Sequence, residues 1–377
     1  MKITIAQGAF LPVPPLRGGA VEKVWFALGK EFARAGHHVT HLSREFADLP
    51  REESIEKVKH IRVRGFDTPR SLPLLKFLDF LYSLRVARKL APSDILVTNT
   101  FWLPILVRSK KWGRLYVHVA RYPRGQMRLY RHAARLQTVS APIADAICLE
   151  IPGFTNLVST IPYPLSDWTD GAAAGMDAGC REKQMLYVGR IHPEKGVQLL
   201  LNAFSRLSSE QTEGWKVVIV GPAETHLGGG GEAFLAELHR IAEPISERVE
   251  WVGPEFDASA LAARYRRASL FVYPSLAERG ETFGLAPLEA MSHGCPPLVS
   301  DLACFRDFIA SPVSGFSFDH RSADPAGALA ARLAELLADP QRLSGVGRSA
   351  AARAADFHLE KIAPRYLDDF AALLALP

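Results

Sequence analysis

Cysteine is scarce in this chain. Four occur in 377 residues, at Cys148, Cys180, Cys295 and Cys304, with no Cys-x-x-Cys spacing. That excludes a disulfide framework and a structural zinc site, and it fits a reducing compartment. Long apolar runs are missing too, since none approaches the roughly 18 residues of a spanning helix. The opening MKITIAQGAF holds one Lys, a short alternating run and a Gly. It reads as a first strand rather than a signal peptide, so the expected location is cytoplasmic. The dinucleotide fingerprint Gly-x-Gly-x-x-Gly is absent, and no nucleic-acid recognition motif, internal repeat or low-complexity tract stands out. What is present is ordinary globular material. Hydrophobic residues make up 48% and charged residues 23%, enough for two cores of common domain size.

Charge is unevenly spread. Residues 1–163 carry 25 Lys/Arg against 12 Asp/Glu, and the remainder carries 20 against 28. This suggests two bodies with different partners. The basic one suits phosphates, nucleic acid or an anionic lipid surface. Strands and helices alternate through both halves. KITIAQGAF is a strand, PVPPLRGGA a turn, and residues 21–38 an amphipathic helix closed by Gly36. VTHLS, HIRVRGF, residues 94–98, LYVHVA, LQTVSA and TNLVSTIP read as further strands, with a helix over 75–90. Residues 161–180 have the composition of a linker. QMLYVGR, WKVVIVG, VEWVG, SLFVYPS and PPLVS then read as strands, with helices over GVQLLLNAFSRL, 231–242, GALAARLAELLADP, 347–357 and 360–376. The pattern predicts an α/β protein with two Rossmann-like, doubly wound parallel sheets, 1–163 and 164–357. Ligands of such folds lie beyond the carboxyl ends of strands or between domains.

Four constellations fall at strand ends. The strongest is PSLAERGETFGLAPLEAMSHGCPPLVS, residues 274–300. A strand ends at Pro274-Ser275, and a loop with two glycines enters a helix near Leu285. The amides of Phe283, Gly284 and Leu285 would point at an anion. Glu281 precedes that helix and Glu289 lies eight residues on, where a carboxylate can accept from two vicinal sugar hydroxyls. In YVGRIHPEKGVQLLLNAF, residues 187–204, Arg190 and Lys195 flank one tight loop. There they could clamp a leaving diphosphate without a metal. Gly18-Gly19 in the first strand-to-helix turn would let a phosphate or sugar approach the backbone. His118, ending the strand LYVHVA, could bond a donor-sugar hydroxyl or meet developing charge.

Together these residues resemble the retaining glycosyltransferases of family 4, which have the GT-B fold. The family's Gly-Arg…Glu-Lys-Gly loop and Glu-x7-Glu signature correspond to Gly189-Arg190, Glu194-Lys195-Gly196 and Glu281–Glu289. The first-domain pattern corresponds to Gly18-Gly19, to Ala35, Gly36, His37 and Val39, and to Val139-Ser140. The resemblance implies two domains facing a central cleft, with helix 358–377 crossing back onto the first. It implies a retaining hexosyltransferase that moves a sugar from a nucleotide-diphosphate donor, UDP- or GDP-linked, with no further cofactor and no metal. Arg190 and Lys195 would hold the pyrophosphate, with Phe283, Gly284 and Leu285 touching phosphate or sugar. Glu289 would bind the ribose, Glu281 would position the donor sugar, and His118 would lie beside it. The readings set against this are a sugar-nucleotide 2-epimerase and a non-catalytic nucleotide-sugar-binding protein. Two departures stand out: Tyr163-Pro164 where the family has Asn-Gly, and Ala303-Cys304 where it has Gly-Gly, followed by Asp307.

The acceptor is expected on the basic first domain, as a glycan, a phosphorylated molecule or a lipid-linked one, with polysaccharide biosynthesis as the setting. Arg121, Arg124 and Arg128 are the candidate contacts. Arg124, Arg128, Arg131 and Arg135 would form a stripe if helical. Residues 69–90, apolar and aromatic with basic flanks, could lie on an anionic membrane, making the protein peripheral on the inner face. No nucleic-acid partner is expected.

Overall fold

The computed structural model describes residues 1–69, 71–165 and 181–376. The linker composition from residue 166 to 180, with Cys180, therefore lies outside the described residues. The chain forms two compact units, Met1–Ser166 with Phe357–Pro377, and Asp167–Asp356.

The first unit runs β1 (Lys2–Ala6), α1 (Ala20–Arg34), β2 (His38–Arg44), β3 (Glu52–Ile55), β4 (Val58–Val63), α2 (Leu72–Ala87), β5 (Ile95–Thr98) and α3 (Leu103–Leu106). It continues β6 (Arg114–Val119), β7 (Arg135–Thr138), α4 (Ala141–Glu150) and β8 (Val158–Thr160). Its sheet has the order β3-β4-β2-β1-β5-β6-β7-β8. All pairs are parallel except β3 with β4. The central strands β1 (KITIA) and β5 (ILVT) read as near-continuous apolar runs, as strands covered by helices on both faces do. Gly36, at φ 86°, takes the left-handed position that ends α1.

The second unit runs β9 (Glu182–Val188), α5 (Val197–Ser205), β10 (Lys216–Val220), α6 (Glu232–Ala242), β11 (Val249–Gly253) and α7 (Ala258–Arg267). It continues β12 (Ala268–Tyr273), α8 (Leu285–Ser292), β13 (Pro297–Ser300), β14 (Phe316–Phe318), α9 (Pro325–Leu337) and α10 (Pro340–Ala354). Its sheet is wholly parallel, in the order β11-β10-β9-β12-β13-β14. The last helix, α11 (Leu359–Ala375), belongs to the first unit. Its Phe370 ring lies 4.9 Å from Tyr116 and 5.6 Å from Phe32, and Tyr366 lies 5.3 Å from Trp25. Asp369 accepts from the Tyr116 hydroxyl at 2.9 Å and pairs with Arg135 at 2.6 Å.

Three expectations are corrected. The arginines between 121 and 135 do not form a helical stripe: only Gln126–Tyr130 is helical, as a short 3-10 turn, and Arg135 opens β7. Gly125 at φ 93° and the strand after it leave no room for a longer helix. The helix expected over 75–90 starts three residues earlier, where Pro73 suits a first turn. The one expected over 347–357 is longer, because Asp339 caps Pro340–Ala354 through the Arg342 amide.

Candidate active site

In an open parallel sheet the chain reverses its order at a switch point, and the two loops there diverge to leave a crevice. In the second unit that point is the β9–β12 pair. Residues 189–196 follow β9 and residues 274–284 follow β12, so both strongest sequence patterns meet at one place. The loops are tied to each other. The Leu276 amide donates to the Glu194 carbonyl at 2.8 Å, and the Ser275 hydroxyl donates to the same oxygen at 3.3 Å. Gly196 is required here: it holds φ 73°, and a Cβ would run into the Pro274 carbonyl oxygen.

At the centre Lys195 donates to Glu281 Oε2 at 2.7 Å, with side chains only 8% and 10% exposed. Tyr273 and Ser275 hydroxyls reach the same oxygen, each at 3.2 Å. Burial first, then the Glu281 charge, pushes the Tyr273 phenol well above its ordinary range, so it remains a donor. Lys195 and Tyr273 donate to Oε2, the single Ser275 hydroxyl proton is shared between Oε2 and the Glu194 carbonyl, and Oε1 has no donor among the described residues. Lys195 has three N–H groups, of which Glu281 uses one. Carboxylate and ammonium are thus held neutral as a pair, yet each keeps capacity for a ligand.

Arg190 is placed differently. It is exposed and donates to the Gly228 carbonyl at 2.6 Å and to Glu194 at 2.9 Å. Gly284 caps α8 at φ 96°; a Cβ there would stand 2.5 Å from the Phe305 ring. Phe283 is 1% exposed, packed 5.1 Å from Phe308, while Leu285 begins the helix. Glu289, about one turn into α8, accepts from the Tyr265 hydroxyl at 3.2 Å. The Ala303-Cys304 departure lies in a 3-10 turn with Cys304 and Phe305 buried. The Phe305 ring lies against Gly284. Sequence reasoning missed Tyr265, which comes from α7, a helix it did not expect. It also passed over Tyr273, whose only signal was its position at the end of a strand.

In the first unit His118 is 2% exposed on β6. Gln137 uses its amide nitrogen on two carbonyls, Thr138 and Ile161, so its oxygen faces His118 Nδ1 at 2.6 Å. Nδ1 therefore carries the proton, and Nε2 accepts from the Tyr163 hydroxyl at 3.2 Å. Burial lowers this imidazole to about 4, with Gln137 opposing, so it is neutral. Gly18 and Gly19 hold φ 72° and 96° before α1. The carboxylate of Glu22 stands where a Gly19 Cβ would be. That carboxyl is buried, which raises it to about 7 against the opposing pull of its own amide and of Arg121. Arg121, Arg124 and Arg128 are exposed. Among the described residues no three His, Cys, Asp or Glu side chains are grouped to hold a metal ion.

Comparison with known proteins supports the fold. The chain is 31% identical over 207 residues to the D-inositol 3-phosphate glycosyltransferase of Segniliparus rotundus, covering 54% of this chain and 44% of that protein. It thus spans less than half of that relative's length. Sucrose-phosphate synthase from Thermosynechococcus elongatus superposes with a TM-score of 0.76 at 22% identity, covering all of both chains. Anabaena HepE in complex with UDP-glucose gives 0.71 at 17%, covering 99% of this chain and all of that one. The fold is GT-B, and residues 179–353, nearly all of the second unit, match the family model of the glycosyl transferases group 1.

Proposed function

We propose that the chain is a hexosyltransferase that moves a sugar from a nucleotide-diphosphate donor to an acceptor hydroxyl, with retention at the anomeric carbon. The observation that carries this reading is the buried Lys195–Glu281 pair at the switch point, with Glu289 on the helix that follows. The second unit takes the donor. Lys195, with Arg190 turning from Glu194, counters the diphosphate, and the α8 N-terminus at Phe283 to Leu285 adds its dipole. Glu281 Oε1 accepts from a hydroxyl of the donor sugar, and Glu289 accepts from the ribose hydroxyls. The bond from the anomeric carbon to the diphosphate breaks and the acceptor oxygen bonds to that carbon on the same face. The acceptor proton passes to the departing phosphate oxygen. Fixed positive groups stabilise that departing charge without reorganising, which is where the largest rate gain arises.

The first unit supplies the acceptor side, with Arg121, Arg124 and Arg128 suited to an anionic or phosphorylated glycan. Gly18 and Gly19 admit phosphate or sugar. His118, neutral with Nε2 as its acceptor, would take a donor-sugar hydroxyl in place of the Tyr163 phenol. The inositol-phosphate glycosyltransferase relative and the UDP-glucose complex of HepE support a sugar nucleotide and a hydroxyl acceptor.

The test is incubation with UDP-glucose and GDP-mannose, each with and without a panel of glycan and lipid-linked acceptors. Nucleoside diphosphate release that needs both donor and acceptor is expected, with the product's anomeric configuration matching the donor's by NMR. Interconversion of the donor sugar without acceptor would replace transfer by epimerisation. Donor binding with no turnover under any pairing would leave a binding protein.

A further inference from the structure

Between residues 101 and 144 there are nine Arg and Lys and no Asp or Glu. The structure folds part of that stretch against α2, a helix whose first turns leave large apolar side chains uncovered. The C-terminal half of α2 is packed, through Tyr82, Ser83 and Val86. Its first two turns are not: Leu72 is 65% exposed, Leu74 46% and Phe77 56%. Single exposed leucines are ordinary. A cluster on successive turns of one helix is not.

The cluster is held rigidly. Asp79, buried on α2, accepts from the Phe101 and Trp102 amides at 3.1 and 3.3 Å. The Trp102 indole donates to the Lys76 carbonyl at 2.7 Å, and its ring lies 5.3 Å from Phe80. These contacts lock α3 to α2. The Tyr130 hydroxyl donates to the Phe101 carbonyl at 2.9 Å and His132 donates to the Pro104 carbonyl at 2.7 Å. The 126–132 segment is thereby fastened to α3. Leu106 and Leu129 are exposed on these same interlocked elements. So are Lys76, Arg108, Arg128 and Arg131. Two carboxylates that pack on them are already engaged, Asp79 as above and Glu150 by the Gly125 and Met127 amides.

We propose that this face docks on an anionic lipid bilayer. Leu72, Leu74 and Phe77 enter the boundary between headgroups and acyl chains, and the surrounding Lys and Arg meet lipid phosphates. Apolar insertion and a basic surround are the two signals that together give stable peripheral attachment. A nucleic acid would leave the leucines uncovered. A second copy of the face would set positive charge against positive charge. The inference is independent of the transfer reaction, since its readout is binding to lipid.

The experiment uses the full chain and co-sedimentation with vesicles of phosphatidylglycerol and phosphatidylcholine, against vesicles of phosphatidylcholine alone. Binding to the anionic vesicles only is expected, weakening as salt rises. L72S/L74S/F77S should lose binding, and K76E/R131E should weaken it about tenfold or more. Both should keep the wild-type unfolding midpoint, because the substituted side chains are exposed; should the triple variant lose its fold, K76E/R131E still decides. Absence of binding to anionic vesicles, equal binding to neutral ones, or unchanged binding in K76E/R131E would overturn the proposal. So would a lipid-free dimer that L72S/L74S/F77S abolishes, or binding to duplex DNA in preference to anionic vesicles.

Discussion

Lys195 has its ammonium 2.7 Å from Glu281 and is almost wholly buried. Cutting it back to alanine removes the counter-charge proposed for the leaving diphosphate and strands a carboxylate away from water. The first effect sets an expected loss of about 10²–10³ in turnover. The second costs about 3–5 kcal/mol, seen as a lower unfolding midpoint. Turnover measured well below that midpoint separates the two, and an unaltered rate there would remove Lys195 from the clamp. Glu289→Ala should weaken UDP binding by roughly 1.5–3 kcal/mol, as loss of a charged hydrogen-bond partner does. Isothermal titration reads this directly, and an unchanged affinity would take Glu289 off the ribose.

Within the elements, several histidines are kept neutral by their surroundings. His41 on β2 and His60 on β4 are register partners with rings stacked 5.2 Å apart, and neither ring has a hydrogen-bond partner among the described residues. Burial holds His41 well below its ordinary value and His60 at about 4, and Arg62 pushes both the same way. His118 and His293 are likewise held near 4, chiefly by burial. The unfolded chain takes up protons on these rings below about 6.5 while the folded one resists. Stability is therefore full above that pH and falls towards pH 4, by about 1.4 kcal/mol per pH unit for each such histidine. Glu22, raised to about 7, and Asp79, raised to about 6, act oppositely, favouring the fold as pH drops. The histidines outnumber them. The unfolding midpoint should fall from pH 6.5 to pH 5, and His60→Phe should flatten that fall. A midpoint that rises on acidification would reverse the ranking.

These elements were unequally legible. The loops at 189–196 and 274–284 were readable because glycine and proline punctuate them and because one tight turn forces Gly196. Strands such as Leu270–Tyr273 declared themselves as unbroken apolar runs. α4 and α7 were missed: one mixes apolar and polar positions without a clear stripe, and the other is short and rich in Arg and Ala. β3 pairs antiparallel with β4 at a sheet edge, and its Glu-Glu-Ser-Ile carries no alternating signal. The arginine stripe failed because spacing alone cannot tell a helix from a turn followed by a strand. Nothing local could show that Glu281 Oε2 gathers Lys195, Tyr273 and Ser275 at once, since those residues meet only when two strands pair.

For the whole molecule, the helix from Leu359 onward is a structural member of the first unit. It contributes Tyr366 and Phe370 to a cluster with Trp25, Phe32 and Tyr116. Phe370→Ala should destabilise that unit by about 3–5 kcal/mol. Removing residues 358–377 should open the first sheet to protease while the second stays resistant, as mass spectrometry of the fragments would show. Equal resistance of both would mean that the helix adds nothing essential.

That same helix imposes an order on biosynthesis. The second unit is built from one uninterrupted stretch, so every strand it needs has left the ribosome before the first can close. The opening strands must wait, with Trp25 and Phe32 uncovered, through the translation of nearly two hundred intervening codons. A released fragment ending at residue 356 should accordingly carry a finished latter lobe behind an unfinished earlier one, and should be a ready client for chaperones.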